Sequence, residues 1–262
     1  MPVTNAVSTS LSIQSFTSSE PGAWSNSYLI SGESDAILFD VFMLHSDAKQ
    51  IADGIAKSGK TLKTVMVSHA HPDHFMGLDI ITERFPKVRV VSTQNVVTDI
   101  TTDGPWMFST LRDKLGPEGP TRLVIPEPLA EPHLTIEGVN LEVVEFGEAV
   151  HIPTLKALLS ADLVYNQGHL YLQEKHLESW LARLDELEAY TENRVTTIYP
   201  GHGKAAGLQL IGQTRAYLHD FADAVRSRNA KNVEQTMLGK YPDYHVKQFL
   251  TAFSIPAYFP PV

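Results

Sequence analysis

The feature that most constrains this chain is a cluster of three histidines and an aspartate within six residues, His69-Ala70-His71-Pro72-Asp73-His74, placed directly after the apolar run Leu62–Val67. An apolar, β-branched run of that length reads as a buried strand. Residues i and i+2 of an extended segment point to the same side, so His69 and His71 can present two imidazoles to one cation. Pro72 turns the chain and suits the first position of a helix, from which Asp73 and His74 reach a second cation from another direction. A lone histidine is ordinarily a solvated or core residue, whereas three at this spacing with a carboxylate among them form a metal-ligating pattern. The chain has no cysteine, so nitrogen and oxygen must hold the ion. Such a donor set suits zinc, one or two ions, and also accommodates iron or manganese.

The rest of the chain narrows the function classes. With 30 acidic and 21 basic residues the formal charge is −9, and no basic run marks a nucleic-acid partner. Residues Met1–Glu20 carry no basic, apolar leader pattern, and no stretch approaches the roughly 20 apolar residues of a membrane span. The expectation is one domain over residues 1–262, cytoplasmic, acting on a small molecule, with homo-oligomerisation left open.

Short strands are expected at Leu11–Phe16, Asn26–Ile30 and Ala36–Val41, then a helix at Ser46–Ser58 and the strand before the cluster. A helix over Met76–Phe85 stopped by Pro86, and a strand at Val88–Val91, follow. The proline-rich stretch 116–133 reads as a surface excursion with one edge strand. Strands resume at Leu134–Ile136 and Leu141–Phe146. Leu177, Trp180, Leu181, Leu184 and Leu187 give a helix over His176–Tyr190 its apolar stripe. A strand at Val195–Tyr199, a helix at Gly207–Arg228 and a short helix with an aromatic tail, Phe253–Phe259, complete the chain. Strands followed by helices, twice over, suggest two sheets layered between helices, an α+β domain.

These landmarks together resemble the metallo-β-lactamase superfamily. Four occur in the family's order: an apolar strand ending in Asp40, the cluster at 69 to 74, an acidic residue closing Leu158–Asp162, and Gly201-His202-Gly203 after the Val195 strand. The resemblance implies a four-layer αββα sandwich with the metal site at one edge between the sheets. It implies that His69 and His71 bind a first metal, that Asp73, His74 and His202 bind a second, and that Asp162 bridges the two. It also implies a place beside the substrate pocket for His169, a few residues past that aspartate.

The pattern departs at one point. Where the family has a third histidine for the first metal, this chain has Phe146-Gly147-Glu148-Ala149. Glu148 stands in the histidine's position, with His151 the other candidate from the same segment. The expected activity is hydrolysis by metal-activated water of a small ester, lactone, lactam or thioester, with Asp73 handling the proton. Two other readings stand beside it: an iron-dependent redox member of the fold, and a degenerate member that binds a ligand without turnover. His45, His133, His176, His219 and His245 read as solvated or structural. Tyr165 reads as a core tyrosine, and Trp106, Met107 and Phe108 as core or oligomer contact.

Overall fold

The computed structural model describes residues 10–144 and 149–260. The chain divides into two compact units, one holding the described residues up to Phe16 with Ser27–Val143, the other Thr17–Asn26 with the chain from Val144 onward.

The first unit is built on β1 (Ser12–Thr17), β2 (Asn26–Ser31), β3 (Asp35–Phe39), α1 (His45–Ser58), β4 (Thr61–Met66), α2 (Pro72–Phe75), α3 (Leu78–Arg84), β5 (Arg89–Ser92), α4 (Gln94–Leu115) and β6 (Glu127–Pro128). The six strands form one sheet in chain order, antiparallel at β2/β3 and parallel from β3 to β6. Parallel neighbours need crossover connections, which α1, α2 with α3, and α4 supply. A hairpin of β7 (His133–Ile136) and β8 (Val139–Val144) follows. Its turn residue Glu137 accepts the backbone N–H groups of Glu33, Ser34 and Asp35, at 2.8, 2.6 and 2.8 Å, and so fixes the β2–β3 turn.

Leu29, Leu38, Val65 and Val67 face α1, α3 and α4, where Ile51, Ile55, Leu78, Ile81, Val96 and Ile100 complete the core. The alternate residues Tyr28, Ile30, Ile37, Phe39 and Met66 are buried on the opposite face, which is why these strands read as continuous apolar runs. Each such side chain contributes roughly 1.5–3 kcal/mol by leaving water.

The expected helix over Met76–Phe85 is α3, Leu78–Arg84, set off from the short α2 at Met76 and Gly77, and the Gly77 amide donates to the Phe42 carbonyl at 2.8 Å. A Cβ at Gly77 would strike that carbonyl and lie 2.8 Å from Ala48 Cβ, so the break lets α1 and its preceding loop approach closely. Helix α4 was not expected from periodicity, because Thr101, Thr102, Gly104 and Pro105 are poor helix formers. It is held by Val96 and Ile100 in the core, with Met107 and Phe108 half-buried, while Trp106 stays 70% exposed.

The second unit carries β9 (Ala149–Ile152), β10 (Ala157–Tyr165), α5 (Leu177–Thr191), β11 (Thr197–His202), α6 (Gln209–Val225), α7 (Ala230–Lys240), a π-helical turn at Phe249–Ser254 and α8 (Ile255–Tyr258). Strand β10 lies between β9, antiparallel to it, and β11, parallel to it. Leu184, Leu187, Ile211, Leu218, Phe221, Val233 and Met237 pack onto Leu158, Val164 and Ile198. The stripe expected on α5 is the one that packs. Helix α7, unread in the sequence, starts where Asn229 caps the amide of Asn232. No helix among the described residues is long and apolar enough to cross a membrane.

Candidate metal centre

In the first unit the histidine cluster is organised by Asp40. Strands β3 and β4 are parallel neighbours, so the residues leaving their ends meet, and Asp40 lies beside Ser68. One carboxylate oxygen of Asp40 accepts the Ser68 amide at 2.7 Å, and the other accepts the Ser68 hydroxyl at 2.7 Å and His74 Nδ1 at 2.9 Å. Asp40 sits at φ 64°, a left-handed conformation that aspartate tolerates better than most residues.

Proton accounting follows from these contacts. The single Ser68 hydroxyl proton goes to Asp40, so its oxygen accepts from His69 Nδ1, 2.8 Å away. His74 likewise spends its Nδ1 proton on Asp40. Both rings therefore carry their lone pair on Nε2. His69 Nε2 is 3.0 Å from His71 Nδ1, a separation that one cation about 2.0–2.1 Å from each nitrogen spans. His74, fully buried, has its Nε2 3.6 Å from Asp73 Oδ2.

The second unit brings together Asp162, at a register irregularity within β10, and His202, at the end of β11. His202 Nε2 lies 3.4 Å from Asp162 Oδ1, and His202 Nδ1 is 2.9 Å from the Ala23 carbonyl. A carbonyl can only accept, so this imidazole too carries its proton on Nδ1 and has its lone pair on Nε2. Tyr165 stacks on His202, ring centroids 4.8 Å apart and planes 15° from parallel, and its hydroxyl donates to Asp162 at 2.6 Å. Tyr165 is buried as expected, but its hydroxyl serves the carboxylate, a role that periodicity gave no sign of. Gly201 and Gly203 are required here, since a Cβ on the first would strike Asp162 and one on the second the Asn166 carbonyl.

His151 is on β9 with its Nδ1 3.1 Å from the Tyr190 hydroxyl of α5. Glu148 lies outside the described residues. His169 is fully buried, its Nδ1 2.8 Å from the Tyr217 hydroxyl, and its Nε2 has no hydrogen-bond partner among the described residues. Burial, with the charge of Lys247 adding to it, pushes His169 down to about 4. His45, read as structural, is buried and bonds Asp79 at 3.0 Å.

Imidazoles with fixed lone pairs beside buried carboxylates, and no thiolate, form a nitrogen and oxygen donor set that fits a divalent cation. Together with a mixed fold of two sheets and flanking helices, this marks a candidate metal-binding protein. The chain belongs to the metallo-β-lactamase superfamily, whose family model matches residues 25–202. Among solved structures it is similar to a metallo-β-lactamase from Pontibacter korlensis, at TM-score 0.62 and 19% identity over 81% of this chain and 96% of that one. It also resembles the DIM-1 metallo-β-lactamase, at TM-score 0.57 and 17% identity over 80% and 92%. The mono-zinc form of FIM-1 from Pseudomonas aeruginosa matches at TM-score 0.57 and 16% identity over 80% and 90%. These likenesses bear out the expected sandwich fold. Among curated proteins, the uncharacterized protein YobT of Bacillus subtilis is 32% identical over 69 residues, a match spanning 26% of this chain and only 29% of that protein.

Proposed function

We propose that the chain hydrolyses a small ester, lactone, lactam or thioester, in the cytoplasm and without a nucleic-acid partner. His69, His71, Asp73, His74, Asp162 and His202 are the residues that would hold one or two ions. Zinc is the ion that this donor set suits best. The observation that carries the reading is the proton inventory: Asp40, Ser68 and the Ala23 carbonyl commit the Nδ1 atoms of His74, His69 and His202, leaving each Nε2 as a ligand atom.

The bound metal supplies Lewis acidity and a water whose pKa falls toward roughly 7. Asp73, in the first turn of α2, would carry a proton to the leaving group. Tyr165 keeps the Asp162 carboxylate in one orientation.

His169 has a separate task. His169 Nδ1 shares a hydrogen bond with the Tyr217 hydroxyl, 2.8 Å away, which holds the ring in one orientation. Held neutral by burial, His169 is a fixed N–H donor for the carbonyl oxygen of the substrate.

The test pairs metal analysis of protein purified without added metal with a turnover screen of lactones, β-lactams and thioesters. Zinc with turnover is the expected result. Iron with inert esters would replace it by the redox reading, and protein that takes up no metal would overturn it. His71→Ala and Asp162→Ala each abolish turnover while leaving the fold intact.

A further inference from the structure

One histidine of the second unit is buried with half of its polar capacity unspent. His169 is 0% exposed and bonds through Nδ1 to the Tyr217 hydroxyl at 2.8 Å, while its Nε2 has no hydrogen-bond partner among the described residues. A histidine kept for packing alone uses both ring nitrogens, because an orphaned polar atom in a dry interior carries its full desolvation cost. The residue before it, Gly168, lies against a proposed metal ligand, since a Cβ there would stand 3.8 Å from His202 Cβ.

The fold holds this ring from several sides. Thr214 and Tyr217 lie three residues apart on one face of α6, where the Thr214 hydroxyl accepts the Tyr165 amide at 3.3 Å and the Tyr217 hydroxyl meets His169. Tyr217 and Tyr244 each pack edge-on to the imidazole with centroids 5.8 Å away, and their own rings are 7° from parallel. Tyr241 packs on both tyrosines, at 4.8 and 4.7 Å, but its hydroxyl turns to Asp220 at 2.7 Å. The His169 amide donates to the His245 carbonyl at 3.0 Å, and the His245 amide to the Gln167 carbonyl at 2.8 Å. Val246, next in the chain, is a buried β-branched residue at φ 57°, a strained conformation that persists only where the surroundings impose it.

The phenolic proton decides how the ring is protonated. Burial pushes the Tyr217 hydroxyl well above its ordinary pKa, so it enters the bond as a neutral O–H. Its side-chain partner among the described residues is His169 Nδ1. With the imidazole proton on Nδ1, the phenolic proton would be left without an acceptor and Nε2 without a donor. With it on Nε2, the phenol donates to Nδ1 and a single group, the Nε2–H, stays unpaired. We infer that Tyr217 is a positioning residue that fixes His169 in the Nε2–H tautomer, so that its spare donor is kept for the carbonyl oxygen of the substrate. The use of that donor rests on the hydrolase reading, whereas the tautomer does not.

Long-range proton–nitrogen NMR of the protein carrying nitrogen-15 histidine reads the tautomer at neutral pH, and the signal lost in His169→Gln assigns it. The native ring should be wholly Nε2–H. Tyr217→Phe keeps the ring packing and removes the hydroxyl, so the signal should move toward a mixture of tautomers. In the same variant kcat should fall about 2–10-fold with KM within about twofold of the native value. Tyr241→Phe, which removes the Asp220 bond from the same cluster, should leave tautomer and kcat unchanged. A native Nδ1–H tautomer, or a Tyr217→Phe protein in which either the tautomer or kcat is unchanged, would overturn the inference and leave the hydrolase reading standing on metal uptake and ester turnover. Should Tyr217→Phe fail to fold, the native spectrum still decides. Protein that takes up no metal and hydrolyses nothing would end the hydrolase reading and the donor's task, with the tautomer still read from the spectrum.

Discussion

His74 Nδ1 lies 2.9 Å from Asp40 Oδ2, a hydrogen bond between side chains 0% and 2% exposed. Asp40 is 34 residues from His74 in the chain and outside the histidine cluster, yet it sets which nitrogen of that ring is bare. Carboxylates that orient ligand histidines change metal affinity by about 10–100-fold when removed. Asp40→Asn keeps the side-chain volume but loses the charge and one acceptor. Its zinc affinity, measured by competition with a chromophoric chelator, is expected to fall by that factor with the circular dichroism spectrum retained. An unchanged affinity would separate Asp40 from the metal site.

Two glycines give a contrasting pair. At Gly201 a Cβ would collide with Asp162 Oδ1 and lie 2.8 Å from the Ala161 carbonyl carbon, whereas at Gly212, on α6, it would meet nothing within 4 Å. Gly201→Ala is expected to lose bound metal and about 1–3 kcal/mol of stability. Gly212→Ala is expected to gain up to about 1 kcal/mol from helix propensity and to keep its metal. Denaturant melts with metal analysis read both, and a metal-replete Gly201→Ala would show that Asp162 tolerates displacement.

The part of the proposed ligand set that was legible is local. His69, His71, Asp73 and His74 follow β4, with His69 and Ala70 in a bend where an extended segment was expected, and Asp73 and His74 lie on α2, which starts at Pro72 as its proline suggested. The role of Ser68 and the Ala23 carbonyl was not legible, since a hydrogen bond across 179 residues, as between Ala23 and His202, leaves no periodic trace. The same holds for fold elements. Helix α5 announced itself through its leucine stripe, whereas α4 is stabilised by packing that outweighs the poor propensity of its threonines, glycine and proline. The close approach of the Phe42 carbonyl to Gly77 is a tertiary contact that no local pattern encodes.

Tyr165 allows its ring and its hydroxyl to be separated. Tyr165→Phe keeps the stack on His202 and removes only the 2.6 Å bond to Asp162. A hydrogen bond to a charged group is worth about 1.5–3 kcal/mol, so kcat should fall roughly 10–100-fold. Metal content and KM should change little, because the coordinating atoms stay in place. A kcat within twofold of the native value would mean that the carboxylate needs no such support.

His169 should also leave a signature in stability against pH. Its folded pKa, pushed down to about 4 by burial, lies below the ordinary value of 6.5, so the unfolded chain binds the proton more readily. Its contribution is therefore fully present above pH 6.5 and is lost as pH falls toward 4, with stability rising with pH between those limits. At pH 5 the penalty amounts to about 1–2 kcal/mol. His169→Gln keeps an N–H donor but cannot titrate, so the difference between native and variant melting temperatures should narrow or reverse between pH 7 and pH 5. A difference independent of pH over that interval would show that folding leaves the His169 pKa at its ordinary value, and burial would then not be what holds the ring neutral.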